Sequence, residues 1–598
     1  MRSAARSTMR LDKGARGNCL STKGCSENWL PEGATDRMRW AIETHRMRPP
    51  IIAVMRFPTK SFALFLALVA IFACGPAAVA QTAGNGDAGG RVVLVLPFDN
   101  HSGNASLNWI GDSFPDTLNK RLTSAGFLTI SHDDRQFAYD HLGLPTDFRP
   151  TRATTIRIAQ QLDANYVVIG SYNVVPGSGG GMSNSKIAIK ARVLSIDALR
   201  LSPAVEDSAE LMRLFDAENA VAWKVAGVID PHFSVSEQTF LAAPGGVPLP
   251  AFEDYIRGIN ATAGAERLKR LQNAVSQVPN YPAALLELGK EQYAQRDFDG
   301  AAATLAKVPK TDRLALEANF YLGLAYFNSA NYAGAQAAFA FVATRLPLPE
   351  VVNDEGVAVS RQGKDSVELF QKASDADPSD EDYRYNLAIA MFRRGDTAGA
   401  AREADAALKL KPADNEAVEL RAELKKVAAG TKLNADTENG FSPLERIRRN
   451  YSETGFRQAA FQLDQMRAMR LAMLPAEQRA TEYTQLGREY LSEGLLPEAE
   501  TQFQDALQAS PNSADAHAGM AQLREASGDP AKARDEAKTS IIMKPNVAAL
   551  LVLARLDLAD KQMAACAQDI SQALRLDPKN ADAIALKLVV QQRGQTVP

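Results

Sequence analysis

The stretch Leu322 to Pro347, LGLAYFNSANYAGAQAAFAFVATRLP, has a counterpart at Leu486 to Pro511, LGREYLSEGLLPEAETQFQDALQASP. In the first, Leu322-Gly323 is followed by Tyr326, Ala335, Phe339 and Pro347. In the second, Leu486-Gly487 is followed by Tyr490, Ala499, Phe503 and Pro511, at the same internal spacings. Weaker copies keep the frame around Leu288-Gly289, Leu387-Ala388, Met520-Ala521 and Leu553-Ala554, and one around Gly356 is shorter by about two residues in its turn. A recurring unit of this length reads as a supersecondary element that cannot bury its apolar face alone and stacks on its neighbours.

The residue types explain the unit. Gly or Ala at the eighth and twentieth positions lets two helices approach closely, and larger residues fill the space around them. Turns such as Arg394-Gly395-Asp396 and Ser527-Gly528-Asp529 separate the helices, and a proline near the end of the unit stops the second one. The pattern resembles the tetratricopeptide family, whose 34-residue unit is a helix pair. The resemblance covers most of residues 248–595 and implies an all-α right-handed solenoid that binds other proteins. Residues Ala428 to Ser442 are rich in Gly, Thr, Asn and Asp, so two stacks are expected, 248–426 and 444–595, joined by a linker at 427–443. Ala581 to Gln592 reads as a closing helix over the last apolar face.

Ahead of the repeats, residues 91–233 alternate strand and helix patterns. Arg91 to Phe98 is a run suited to a buried strand, Trp109 to Ala125 has helical spacing, and a short strand is expected near Phe127 to Ser131. Thr154 to Leu162 and Phe215 to Ile229 read as helices, and Tyr166 to Val175 with Lys186 to Ile196 as paired strands. This is a small α/β domain. Its Leu-Pro-Phe strand end, Asn-His-Ser-Gly stretch and Trp-Ile-Gly helix are similar to the amino-terminal domain of TolB-like and curli-assembly-like envelope proteins. That resemblance implies assembly work at the cell envelope and brings no catalytic residues.

Phe62 to Ala73 is an unbroken apolar run, preceded by Arg56 and Lys60 and followed by Ala78-Val79-Ala80. These are the parts of a secretory signal, expected over 55–80 with Met55 as its start, and residues 1–54 read as upstream or disordered sequence. The expected location is therefore periplasmic or outer-membrane-associated. Membrane association would come only from an uncleaved signal or from lipid on Cys74, the last residue of Ile71-Phe72-Ala73-Cys74. Residues 1–80 hold 12 of the 67 basic and 5 of the 70 acidic residues, so the chain without them carries a net charge of −10. An acidic chain with no basic block is a poor candidate for nucleic acid. Of Cys19, Cys25, Cys74 and Cys566, only Cys566 follows the signal; it cannot form an internal disulfide and reads as a buried packing thiol.

Sites of chemistry are weakly signalled. Gly177 to Gly181 lacks the Lys-Ser/Thr of a phosphate cradle and reads as a hairpin loop. Gly111-Asp112-Ser113 resembles the nucleophile motif of GDSL hydrolases, but no late Asp-x-x-His accompanies it, and a helix start is the simpler reading. His132-Asp133-Asp134 and His141 lack metal-ligand spacing and read as a solvated turn. No enzyme activity, metal or cofactor is expected.

Binding is expected on the first helix of each pair, which in this family lines a concave groove. Its twelfth position is Tyr293, Phe327 and Phe392, and its fifth adds Phe320 and Tyr385. The second stack offers Arg488 and Gln522 at the ninth position, with Leu491 and Glu525 at the twelfth. These residues predict an aromatic groove for a protein or extended peptide in the first stack and a more polar one in the second. The competing expectation is that the rings only fill gaps between successive pairs. Two functions follow: an exported interaction scaffold of the bacterial envelope, or a sensor whose α/β domain binds a small molecule and whose repeats relay it to a partner.

Overall fold

A computed structural model describes residues 91–597 except 146–148, 178–183, 243–246, 434–440 and 450–452. The expected signal, the segment before it and most of the glycine loop after Gly177 lie outside the described residues. No described helix is long and apolar enough to cross a membrane.

The α/β domain is built on a sheet of β1 (Val92–Val95), β2 (Asp99–Asn100), β3 (Leu128–Thr129), β4 (Tyr166–Val175), β5 (Lys186–Ser195), β6 (Arg200–Leu201) and β7 (Val205–Glu210), in the order β3-β1-β4-β5-β6 with β2 beside β4 and β7 beside β5. β1 runs parallel to β3 and β4, whereas β4 and β5 pair antiparallel from Tyr166↔Ser195 to Val175↔Lys186. Alternation sorts the side chains by face. Val93, Val95, Ile187 and Ile189 face α1 (Asn108–Ser124) and α4 (Leu214–Ile229). Leu94, Val167 and Leu194 face α2 (His132–Leu142) and α3 (Arg152–Gln161).

Helix α2 departs from the expected solvated turn at His132-Asp133-Asp134 and His141. The Ser131 hydroxyl caps the Asp134 N–H, two acids occupy the first turn, and Arg135, Ala138 and Tyr139 are buried at helical spacing. Glycine–aspartate–serine at 111–113 falls inside α1 rather than at its start. Ser113 is buried, and its hydroxyl donates to Ile110 O at 2.8 Å and to Glu218 Oε1 at 2.6 Å.

The chain continues through α5 (Glu237–Leu241) into the repeats. The first stack comprises α6 (Leu249–Asn260), α7 (Ala265–Gln277), α8 (Pro282–Ala294), α9 (Phe298–Leu305), α10 (Ala315–Asn328), α11 (Tyr332–Ala343), α12 (Pro349–Arg361), α13 (Val367–Ala376), α14 (Glu381–Arg394), α15 (Thr397–Leu410) and the single α16 (Asn415–Lys426). After α17 (Glu453–Ala472), the second stack comprises α18 (Ala476–Ser492), α19 (Leu496–Ala509), α20 (Ala514–Ala526), α21 (Pro530–Met543), α22 (Val547–Ala559), α23 (Met563–Leu576) and α24 (Ala581–Gln592).

Close packing explains the repeating small residue. A Cβ on Gly323 would lie 2.6 Å from the Phe339 ring, one on Gly356 2.8 Å from Phe370, and one on Gly487 2.6 Å from Phe503. Only hydrogen fits there, so the ring of each second helix seats on the backbone of the first. Turn chemistry does the rest. Gly395 takes the left-handed conformation at φ +95° after α14, and the carboxylate of the next residue, Asp396, caps Gly399 N–H to start α15. Cys566 is fully buried, and burial pushes its thiol up to about 11.

The first stack and the α/β domain share one core. Phe252 of α6 packs 4.4 Å from Phe215 and 6.2 Å from Trp109, measured between ring centroids. The second stack meets the chain between the two domains. Arg524 of α20 pairs with the buried carboxylate of Glu500 at 2.6 Å and donates to Ser236 Oγ and Thr239 Oγ1, while Gln238 of α5 donates to Gly528 O.

Candidate functional site: a filled groove in the first stack

The expected linker region holds the main departure from the sequence reading. Residues 441–449 lie in no helix or strand of their own, and they run along the first helices α12 and α14 and the start of α16. The residues expected to open the second stack at 444 thus belong to the groove of the first. α17 continues the contact, with Phe456 buried 6.3 Å from Phe320. Among the described residues, paired helices of the second stack begin at α18.

The backbone of the segment is gripped by side-chain amides. Asn386 of α14 accepts from Arg446 N–H at 2.8 Å and donates to Arg446 O at 2.8 Å, the two bonds a neighbouring β-strand would make. Asn353 of α12 donates to the same carbonyl at 3.0 Å and accepts from Asn386 at 2.7 Å. Asp354 accepts from Arg448 N–H at 2.8 Å. Asn353, Asp354 and Asn386 are all buried, so their polar atoms need partners; the segment serves both asparagines and one oxygen of Asp354, and leaves Asp354 Oδ2 without a hydrogen bond. Burial drives the Asp354 carboxyl well above the usual carboxylate range, against these hydrogen bonds.

The side chains alternate between two kinds of surface. Arg446 reaches Asp382 at 2.7 Å, both oxygens of Asp414 at 2.7 Å and Glu416 at 2.7 Å, and its guanidinium lies 4.0 Å from the centroid of the Tyr385 ring. Arg448 pairs with Asp380 and with Asp382. Glu445 points the other way, into Arg393, Ser360 and Arg361. Ile447 packs, as Phe327 does, against the core around Phe370 and Leu387 and against that around Phe320. Burial works to raise the Asp414 carboxyl, but the Arg446 guanidinium and the Ala417 N–H overcome it and hold the group below its ordinary value. The Arg446 guanidinium is itself raised, despite burial, by its carboxylate partners.

The residues expected from the sequence fall around this segment unevenly. Phe320, Tyr385 and Phe392 are buried: Phe320 beneath Phe456, Tyr385 beneath Arg446, and Phe392 against Leu433, whose N–H donates to the Phe392 carbonyl. Phe327 is half-buried and packs against the same cores as Ile447. Tyr293 is half-buried among Phe298 and Tyr321, and its hydroxyl accepts from Asn328. None of the five rings stands open to solvent. In the second stack Arg488 pairs with Asp515 at 3.1 Å, Gln522 is half-buried, and Glu525 pairs with Arg555; the structure does not bring these to the filled groove.

The polar grip was missed. A signal for it exists: Asp354 and Asn386 each stand two residues before the small eighth position of successive pairs, and Arg361 and Arg393 each stand five after it.

A second cavity, of about 790 Å³, opens beyond the carboxyl end of β1, where the chain crosses to β3 on one side and β4 on the other. Its lining includes Asp112, His132, Gln136 and Arg152 of the α/β domain together with Asn260 and Arg267 of the first repeat pair. Burial pushes the Asp112 carboxyl up to about 6, with Arg135 and His132 pulling it down. Among the described residues, no cluster of three His, Cys, Asp or Glu side chains is placed to hold a metal ion.

Comparison with known proteins agrees on the repeats. The tetratricopeptide repeat model matches residues 286–343, 360–415 and 484–548. No curated protein matches the sequence. Among solved structures, MamA from Desulfovibrio magneticus RS-1 (residues 41 to the end) is 19% identical, covering 30% of this chain and 99% of that one, with a TM-score of 0.25. YrrB, a tetratricopeptide protein with an unusual peptide-binding site, is 14% identical over 35% of this chain and 100% of its own, with a TM-score of 0.26. The LpoB carboxy-terminal domain from Escherichia coli is 22% identical over 21% of this chain and 87% of its own, with a TM-score of 0.16.

Proposed function

Because the chain carries tetratricopeptide repeats, arrays that serve as protein–protein interaction scaffolds, we propose that it gathers partner proteins by holding an extended peptide strand in the groove of the first stack. The observation that carries this reading is the Asn386 carboxamide paired with both the N–H and the C=O of Arg446. A grip on the main chain accepts any extended strand, and the side-chain pockets beside it choose among strands. The work is binding; the hydroxyl of the GDSL-like triplet is committed to Glu218. The site of action is the bacterial envelope, as the signal-like run Phe62 to Ala73 supports.

A photoreactive residue at position 327 tests the groove. In a chain whose resident segment is expelled by Arg446→Glu and Arg448→Glu it is expected to crosslink a partner in cells, and Asn386→Ala added to that chain should abolish the product. A crosslinked partner retained at full yield in Asn386→Ala contradicts the reading. Amino-terminal sequencing of envelope-fractionated protein tests export: it should begin at Gln81, and a cytoplasmic protein with its amino end intact contradicts it.

The cavity beyond β1 favours a second reading, a ligand-sensing α/β domain. Its volume suits a small molecule, and its lining spans the α/β domain and the first repeat pair, so occupancy there would bear on both. A thermal-shift screen of small metabolites checks it; no shift for any compound would remove its support.

A further inference from the structure

We infer that the partner of this groove is an extended peptide with an acidic residue followed by arginines at alternate positions, and that residues 441–449 are an internal occupant which such a peptide must displace. The inference rests on the peptide-groove reading above and adds which peptide and what stands in its way.

In an extended strand, residues two apart face the same side. Arg446 and Arg448 accordingly enter one acidic surface, made by Asp380 and Asp382 at the start of α14 and by Asp414 and Glu416 at the start of α16. Glu445 and Ile447 enter the opposite surface, where Arg393 and Arg361 await the carboxylate and the apolar core around Phe370 and Leu387 the isoleucine. Four consecutive side chains therefore meet four complementary pockets, while the asparagines hold the main chain between them. A free tether would have no need of such a match.

The pockets also say what they reject. The side chains of Asp414 and Asp382 are only 5% and 17% exposed. An occupant without cations would leave these carboxylates desolvated and unpaired, so neutral and acidic strands are selected against. Arginine suits the first pocket better than lysine. Two guanidinium nitrogens address the two oxygens of Asp414 separately, and the plane stacks on Tyr385. The resident segment competes from the same chain, at an effective concentration on the order of millimolar. A free peptide of similar fit will bind the intact protein weakly and a variant with the segment expelled strongly.

The test uses the full chain, a full-length variant carrying Arg446→Glu and Arg448→Glu, and a fluorescent peptide with the sequence of residues 441–450, read by anisotropy. The variant should bind the peptide at least about tenfold more tightly than the unsubstituted protein. On the variant, a peptide with leucine at both arginine positions should lose at least about tenfold, and one with lysines should fall between. Equal binding of the arginine and leucine peptides overturns the arginine preference and leaves the main-chain grip standing. Equal affinity of the variant and the unsubstituted protein for the arginine peptide overturns the internal occupant. No binding of any peptide to a variant that keeps its helical content and melting overturns the groove reading itself. If the double substitution fails to fold, Arg448→Glu alone, at a side chain 35% exposed, gives the same comparisons.

Discussion

Replacing Arg446 with methionine keeps much of the apolar stem and removes the guanidinium. Lost with it are the paired bonds to Asp414, the bond to Asp382, those to Glu416 and the stacking on Tyr385. Glu416 is 64% exposed and adds little. The bonds to Asp414 and Asp382 are charge-assisted and largely shielded, each worth roughly 1.5–3 kcal/mol, but they share one cation and do not add in full. Detachment of the segment rehydrates the stranded carboxylates and returns part of the cost. A net loss of about 2–3 kcal/mol follows, which raises the detached population about 30- to 150-fold. Native-state trypsin digestion reads that population directly, because cleavage after Arg448, which is held against Asp380 and Asp382, requires the segment to leave the groove and tracks its open fraction. Cleavage there should quicken about 30- to 150-fold while cleavage within the α/β domain does not change. Cleavage rates within about twofold of the unsubstituted protein would refute the claim that Arg446 anchors the segment.

Burial raises the Glu218 carboxyl from 4.5 to about 7, so the folded state holds its proton more tightly than the unfolded one. Stability from this group is complete below pH 4.5 and is lost as pH rises through about 7, a loss of about 3 kcal/mol. Glu218→Gln should therefore gain on the native protein between pH 4.5 and 8 in urea melts, and a constant difference across that range would contradict it. Gly519→Ala places a methyl group 2.2 Å from the Phe503 ring, already wedged against Gly487, and should cost about 1–2 kcal/mol after the gain in helix propensity; a higher melting temperature would show that the ring can yield. Arg524→Met strands the buried Glu500 carboxylate and should destabilise the contact between the second stack and α5 by about 3 kcal/mol. Adding Glu500→Gln should restore more than half of it, and a double variant no better than the single would show that the pair does not act through its charge.

The repeats were legible because one physical requirement recurs at fixed spacing: a small residue such as Gly323 or Gly487 under a ring such as Phe339 or Phe503. The same regularity located the first helix of each pair. The α/β elements were legible where apolar alternation ran long, as in β4 and β5, and not where a helix carries few apolar residues, as in α2, whose helical character lies in its Ser131 cap and buried Arg135 and Tyr139. The groove was half legible. Tyr385 lies under Arg446 of the segment, and Phe327 packs on the same core as Ile447. That residues 441–449 return to the stack they have just left is a long-range contact, and composition around Ala428 to Ser442 reports only that helices stop. The local sign of it was positional: polar Asp354 and Asn386 two residues before the small position of successive pairs, with Arg361 and Arg393 five after it.

Amide hydrogen exchange over residues 441–449 in the intact protein tests the central claim most directly. The Arg446 and Arg448 amides, held by Asn386 and Asp354, should exchange with protection comparable to that of α14. Exchange as fast as in a free peptide of the same sequence would mean that the segment does not occupy the groove.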